Sequence, residues 1–206
     1  MQYNGQASQD KFVLSVLKNK TNGYFIEIGS NDPIHINNTY LLENHYNWKG
    51  IMVECDNYWL SSYKEKRPNS IHVIEDATKV DYASLFKNNN VPQYIDYLQI
   101  DLEVYNRSTL TTLELFDKYI FDSYKFATIT FEHDIYRGDF FNTRLSSREI
   151  FNNRGYILVF SDVKNGNNPY EDWYVHPDLV DMNYINQIKS LESLEHTQIM
   201  DIIDIL

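Results

Sequence analysis

Apolar positions along this chain switch between two periods, and the switches mark out alternating helices and strands. Phe12, Val13, Val16 and Leu17 recur at helical spacing within residues 8–19 and share one face. Asn22-Gly23 punctuates that helix. Tyr24 to Ile28 follows as a short, mostly apolar run with the character of a buried strand. The same reading predicts helices over 37–45, 59–66, 82–87, 110–121 and 145–152. Strands are expected over 51–54, 71–74, 95–100, 126–131, 156–160 and 173–175. Turn chemistry separates these elements at Trp48-Lys49-Gly50, Pro68-Asn69, Asn88-Asn89-Asn90 and Gly155. A helical tail over 182–206 carries Ile185, Ile188, Leu191, Leu194, Ile199, Ile202, Ile203 and Leu206. It either packs on its own domain or forms a homodimer contact.

Strands that alternate with helices predict an α/β fold: an open, mostly parallel seven-stranded sheet with helices on both faces. With 206 residues, a single domain accommodates the whole chain, 1–206. In such sheets ligands bind beyond the carboxyl ends of the strands, at the topological switch point. Four of the expected strands end at acids, Glu27, Glu54, Asp101 and Glu132, and one rim of one sheet would gather them.

Charge narrows the ligand. The formal net charge is −11, which repels a phosphate backbone and makes nucleic acid an unlikely partner. No basic cluster offsets it, because Lys64-Glu65-Lys66-Arg67 contains an acid and reads as a solvated helix end. Cys55 is the only cysteine, so no intrachain disulfide can form. No signal-like segment opens the chain, and no apolar run approaches the roughly 18 residues a membrane span requires. The expected location is the cytoplasm, with no membrane span.

The segment Tyr24-Phe25-Ile26-Glu27-Ile28-Gly29-Ser30-Asn31-Asp32 carries the most chemistry. Its strand stops at Gly29, which allows a close backbone approach to a ligand. Glu54 follows 25 residues later. That is near the roughly 20 residues that place an acid on ribose hydroxyls in a βαβ nucleoside site. A nicotinamide-dependent oxidoreductase would carry Gly-x-Gly-x-x-Gly here. Gly29-Ser30-Asn31-Asp32-Pro33-Ile34 has one glycine, so that alternative is the weaker one. One glycine among several acids suits a ligand with a positive sulfonium and a neutral nucleoside, which describes S-adenosyl-L-methionine.

Ser8-Gln9-Asp10-Lys11-Phe12, Phe25 to Asp32, Trp48 to Glu54, Ile95 to Glu103, Gly155-Tyr156 and Glu171 to Val175 occur in order across residues 8 to 180. Together they resemble the FkbM-type family of class I S-adenosylmethionine-dependent methyltransferases. Two positions depart, since Pro33 and Val104 stand where that family usually has glycine. The resemblance implies a Rossmann-like class I methyltransferase fold, with helix 8–19 capping the pocket. It implies an enzyme that methylates a hydroxyl of a sugar or glycosylated small molecule. The two departures favour the alternative of a methyltransferase-like binding module that holds the cofactor without turnover.

By the same resemblance, the cofactor residues are Gln9, Glu27, Gly29, Ser30, Asn31, Glu54, Asp76, Ala77 and Asp101. Gly29 would pass beneath the methionine part, Glu54 would take the ribose hydroxyls and Asp76 the adenine amino group, with Gln9 closing over from the first helix. Methyl transfer to a hydroxyl needs a base near the acceptor oxygen. Histidine as a residue type titrates in a suitable range, and His133 is the first candidate, with His176 second and Asp101, Glu103 and Glu132 as the neighbouring carboxylates. In an extended chain Asp101 and Glu103 share one side. Some related sugar O-methyltransferases hold magnesium at the ends of the fourth and fifth strands, where this chain has Asp101, Glu132 and His133. Magnesium prefers oxygen ligands, so the metal is left open.

Overall fold

In the computed structural model, which describes residues 3–205, seven strands form one sheet. They are β1 (Tyr24–Ile28), β2 (Lys49–Glu54), β3 (Ile71–Ile74), β4 (Tyr94–Ile100), β5 (Lys125–Glu132), β6 (Ile157–Asn165) and β7 (Asn168–Val175). Their order is β3-β2-β1-β4-β5-β7-β6. Pairings from β3 through β5 are parallel, and β7 runs antiparallel to both β5 and β6. The helices are α1 (Gln9–Val16), α2 (Tyr40–Tyr46), α3 (Leu60–Lys66), α4 (Tyr82–Asn88), α5 (Ser108–Tyr119), α6 (Thr143–Asn153), α7 (Met182–Ile188) and α8 (His196–Ile205).

The α/β sheet expected from the apolar periods is the one observed, and the differences have local causes. Helix α2 begins at Tyr40, not at residue 37, because the Asn37 side chain accepts the Thr39 N–H and holds the approach in a turn. Strands β6 and β7 are longer than 156–160 and 173–175 and meet in a hairpin around Gly166-Asn167. Polar residues such as Asp162, Lys164 and Asp172 break their apolar signal. The tail is two helices, α7 and α8, separated by a segment that touches β6 through bridges at Ser190 and Glu195. Ile185, Ile188, Ile199 and Ile203 are buried in the chain's own core, while Leu206 lies outside the described residues.

Two apolar layers cover the sheet. On one face Phe25, Met52, Tyr97 and Trp173 pack with α1, α7 and α8, and the Phe12 ring lies 4.8 Å from Trp173. On the other, Ile26, Ile28, Leu98, Ile100 and Phe131 pack against Phe86, Phe116 and Phe151. Successive residues of a strand therefore point into different layers, which decides below which acids share a site. Among the described residues no helix is long and apolar enough to cross a membrane.

Candidate cofactor cleft

Parallel strands β1 and β4 are neighbours whose connections leave in opposite directions along the sheet, which opens a crevice at their carboxyl ends. A cavity of about 600 Å³ fills this crevice, and a narrower one of about 250 Å³ adjoins it. The two share Gly29, Glu54, Cys55, Leu102 and Glu103. The larger compartment also takes in Glu27, Ser30, Asn31, Gln99, Asp101 and Glu132, and the smaller one Asp76 and Ala77. Another groove, of about 560 Å³, lies at the amino ends of the strands against Tyr24, Lys49 and Tyr94, and none of the expected site residues reaches it.

Gly29 has φ of 85° and sits directly against the strand beside it. A Cβ there would meet the Asp101 carbonyl oxygen at 1.8 Å, so only glycine lets the turns after β1 and β4 close together. Ser30 follows, buried, its hydroxyl donating to the Glu27 carbonyl. The Asn31 N–H donates to Glu54 Oε2 at 2.9 Å and the Asp56 N–H to Glu54 Oε1 at 2.8 Å. Glu54 is thus fixed at the seam of the two compartments, half-buried, with lone pairs to spare. Asp76 lies at the far end, where hydrogen bonds from Lys79 and Thr78 hold its carboxyl down at about 2.

The loop after β1 is anchored by a residue that the sequence reading placed elsewhere. Arg67 is fully buried, not part of a solvated helix end. Its guanidinium donates to Glu43 Oε2, the Pro33 carbonyl, Asn37 Oδ1 and Thr39 Oγ1. Glu27 Oε2 lies 4.0 Å away and accepts from Asn37. The buried Glu27 Oε1 has no partner and borders the larger compartment. Burial pushes the Glu27 carboxyl above its usual range, with Arg67 opposing. Pro33 is accommodated because its carbonyl serves this hub, and Val104 is buried as part of the turn after β4.

Asp101 and Glu132 meet at the ends of the adjacent parallel strands β4 and β5, within hydrogen-bonding contact of each other. Desolvation raises both carboxyl groups, and the Asp101 charge adds to the upward push on Glu132. Two acids this close hold one proton between them. Asp134, with φ of 48°, joins them from the turn after β5, and Glu103 sits exposed at the lip.

Three expected site residues are not brought there. His133 is buried on the other face of the sheet. Its Nδ1 accepts the Ile135 N–H, and its Nε2 lies 3.6 Å from Asp162 and 3.5 Å from Asp172. Glu132 and His133 are consecutive, so they point to opposite layers, and only Glu132 lines the cleft. The Gln9 amide donates to Tyr170 and Glu171 and accepts from Ala7, tying α1 to β7; Gln6, one turn earlier, lines the cleft instead. The His176 N–H donates to the Ala127 carbonyl, near the amino end of β5 and away from the cleft. A magnesium site of Asp101, Glu132 and His133 is therefore not assembled. His133, Asp162 and Asp172 do converge within 4.8 Å, but Arg148 bridges both carboxylates and supplies the cation itself.

No family model matches this chain, and no curated protein matches it by sequence. Solved structures do match the fold. A TehB-like SAM-dependent methyltransferase from Corynebacterium glutamicum superposes with a TM-score of 0.52 at 8% identity, covering 82% of this chain and 87% of that one. A candidate rRNA-methylase from Clostridium thermocellum gives 0.52 at 11%, covering 85% and 98%. SMU.1697c from Streptococcus mutans, a candidate methyltransferase in complex with SAH, gives 0.52 at 15%, covering 84% and 97%. At these identities the likeness is one of fold, and the fold is that of class I S-adenosylmethionine-dependent methyltransferases.

Proposed function

We propose that this protein binds S-adenosyl-L-methionine and methylates a hydroxyl of a small, carbohydrate-like acceptor, as the FkbM-type resemblance implies. The observation that carries this reading is the Gly29 turn, which a Cβ would fill, with Glu54 fixed 25 residues later at the seam of two adjoining compartments. An elongated nucleoside ligand would lay its adenine in the smaller compartment near Asp76 and Ala77 and its ribose on Glu54. The methionine part would lie over Gly29, toward the unpartnered Glu27 Oε1, with Ser30 and Asn31 lining the loop. Bound there, the cofactor supplies an electrophilic methyl group on sulfur.

The role first given to His133 passes to Glu132. Because Glu132 and Asp101 hold one proton between them, that proton can rest on Asp101 while the Glu132 carboxylate, made a stronger base than a solvated glutamate by burial and by Asp101, takes the acceptor's hydroxyl proton. Asp101 holds the geometry of that oxygen from the adjacent strand end. The remaining contribution is alignment of acceptor oxygen, methyl and sulfur. Calorimetry tests the premise: micromolar binding of S-adenosylhomocysteine and no comparable binding of NAD is expected, and the reverse result ends this reading. A binding module without turnover would show the same calorimetry but release no S-adenosylhomocysteine with any acceptor.

A further inference from the structure

We infer that the acceptor carries a protonated amino group, so that its class is an amino sugar and not a neutral or acidic one. This rests on the methyltransferase reading above and specifies its acceptor. Asp101, Glu132 and Asp134 crowd the end of the larger compartment where β4 and β5 finish, and Glu103 stands at its lip. Among the described residues Arg137 is the one lysine or arginine lining that compartment, and it is spent on Asp134 at 3.2 Å. Even with one proton shared by Asp101 and Glu132, this end of the cleft keeps an excess of negative charge that no side chain cancels.

The second observation is a buried acceptor with nothing to accept. Gln99 is 4% exposed, lines the same compartment, and its Oε1 has no hydrogen-bond partner. Its orientation is set by chemistry, because the amide nitrogen faces the Asp101 carboxyl, and the opposite flip would face oxygen to carboxylate. A ligand here must bring several donors and positive charge. A hydroxyl brings one donor. An ammonium brings three, enough for Gln99 Oε1 and two carboxylates at once. A phosphate or carboxylate on the acceptor would be repelled, which disfavours nucleotide-activated sugars and uronic acids. Trp59 lines the same compartment and supplies an aromatic residue near the sugar's place.

The test is calorimetry on protein saturated with S-adenosylhomocysteine, titrated separately with glucosamine, N-acetylglucosamine, glucose and glucuronic acid. Glucosamine should bind at least about tenfold tighter than either uncharged sugar, the scale of one charge-assisted hydrogen bond, and glucuronic acid weakest. The Glu132→Gln/Asp134→Asn variant should lose that preference while keeping its affinity for S-adenosylhomocysteine. Gln99→Leu, which alters no charge, should weaken glucosamine about fivefold relative to glucose. Equal affinities, a preference for the neutral or acidic sugar, no binding by any of the four, or a preference that survives in the double variant overturns the inference. If S-adenosylhomocysteine itself does not bind, the cofactor reading falls and takes this one with it. If it binds and no amine preference appears, only the amino-sugar inference is lost.

Discussion

Strands β5 and β7 carry buried acids on both faces of the sheet, and the two sets are treated in opposite ways. On the α6 face Asp172 accepts two guanidinium bonds from Arg148, at 2.7 and 2.8 Å, the Asp162 N–H and the Tyr174 hydroxyl. Its carboxyl is held far below the usual range, Arg148 and His133 overcoming desolvation. On the α1 face Glu132 meets Asp101 and Asp134 and is pushed far above it. Burial is shared, so the sign of each shift is set by what the surroundings supply. Where the chain supplies arginines, an acid is structural. Where it supplies more acids, burial and like charge push the carboxyl groups up instead.

This contrast can be broken most forcefully on the arginine side. Arg148→Met strands Asp172 without an arginine, leaving Asp162 to Arg144 alone, and should cost about 3–5 kcal/mol of stability by denaturant titration, with S-adenosylhomocysteine affinity of the folded fraction unchanged. A loss below 1 kcal/mol would show that the acids there do not depend on it. On the cleft side Glu132→Gln should fold at least as well as the parent, since it relieves like-charge crowding, yet lose about 10²–10⁴-fold in turnover of an accepted substrate. Unchanged turnover would remove Glu132 as base. Glu54→Ala should weaken S-adenosylhomocysteine by about 1.5–3 kcal/mol in calorimetry while NAD stays unbound.

A pH-dependent effect concerns Glu171, the register partner of Glu132, whose carboxyl burial raises from 4.5 to about 8. Between those values the folded chain keeps a proton that the unfolded chain releases, so stability falls as pH rises through that window. Its share of the slope is at most about 1.4 kcal/mol per pH unit. Glu171→Gln should flatten the stability profile between pH 4.5 and 8, and a profile as steep as the parent's would contradict a neutral Glu171.

The sheet was readable because each parallel strand is an apolar run with a turn at its end, and β1 and β3 fall on their expected residues. The cleft was readable in part for the same reason, since strand ends at a switch point bring Glu27, Glu54, Asp101 and Glu132 into adjoining compartments. Assigning Glu132 and His133 to one site overlooked strand alternation, a signal present in the sequence. Arg67 left no such signal. Its partners Glu43, Pro33, Asn37 and Thr39 lie 24 to 34 residues away, and a charged residue beside a proline at a helix end reads as solvated until the fold encloses it. Asp162 was equally hidden. It sits at an irregularity of β6 with φ of 51°, which aims its carboxylate at Arg144 and Arg148.

Cys55 lines both compartments, is exposed and is the chain's sole thiol. The protein therefore carries a reporter at a place where a ligand in the cleft would change what solvent can reach. Its alkylation rate reads the cleft directly. A nucleoside that spans the seam shields the sulfur, whereas a sugar confined to the far end leaves it reactive. A single fluorophore attached there would distinguish cofactor from acceptor without any assay of methyl transfer.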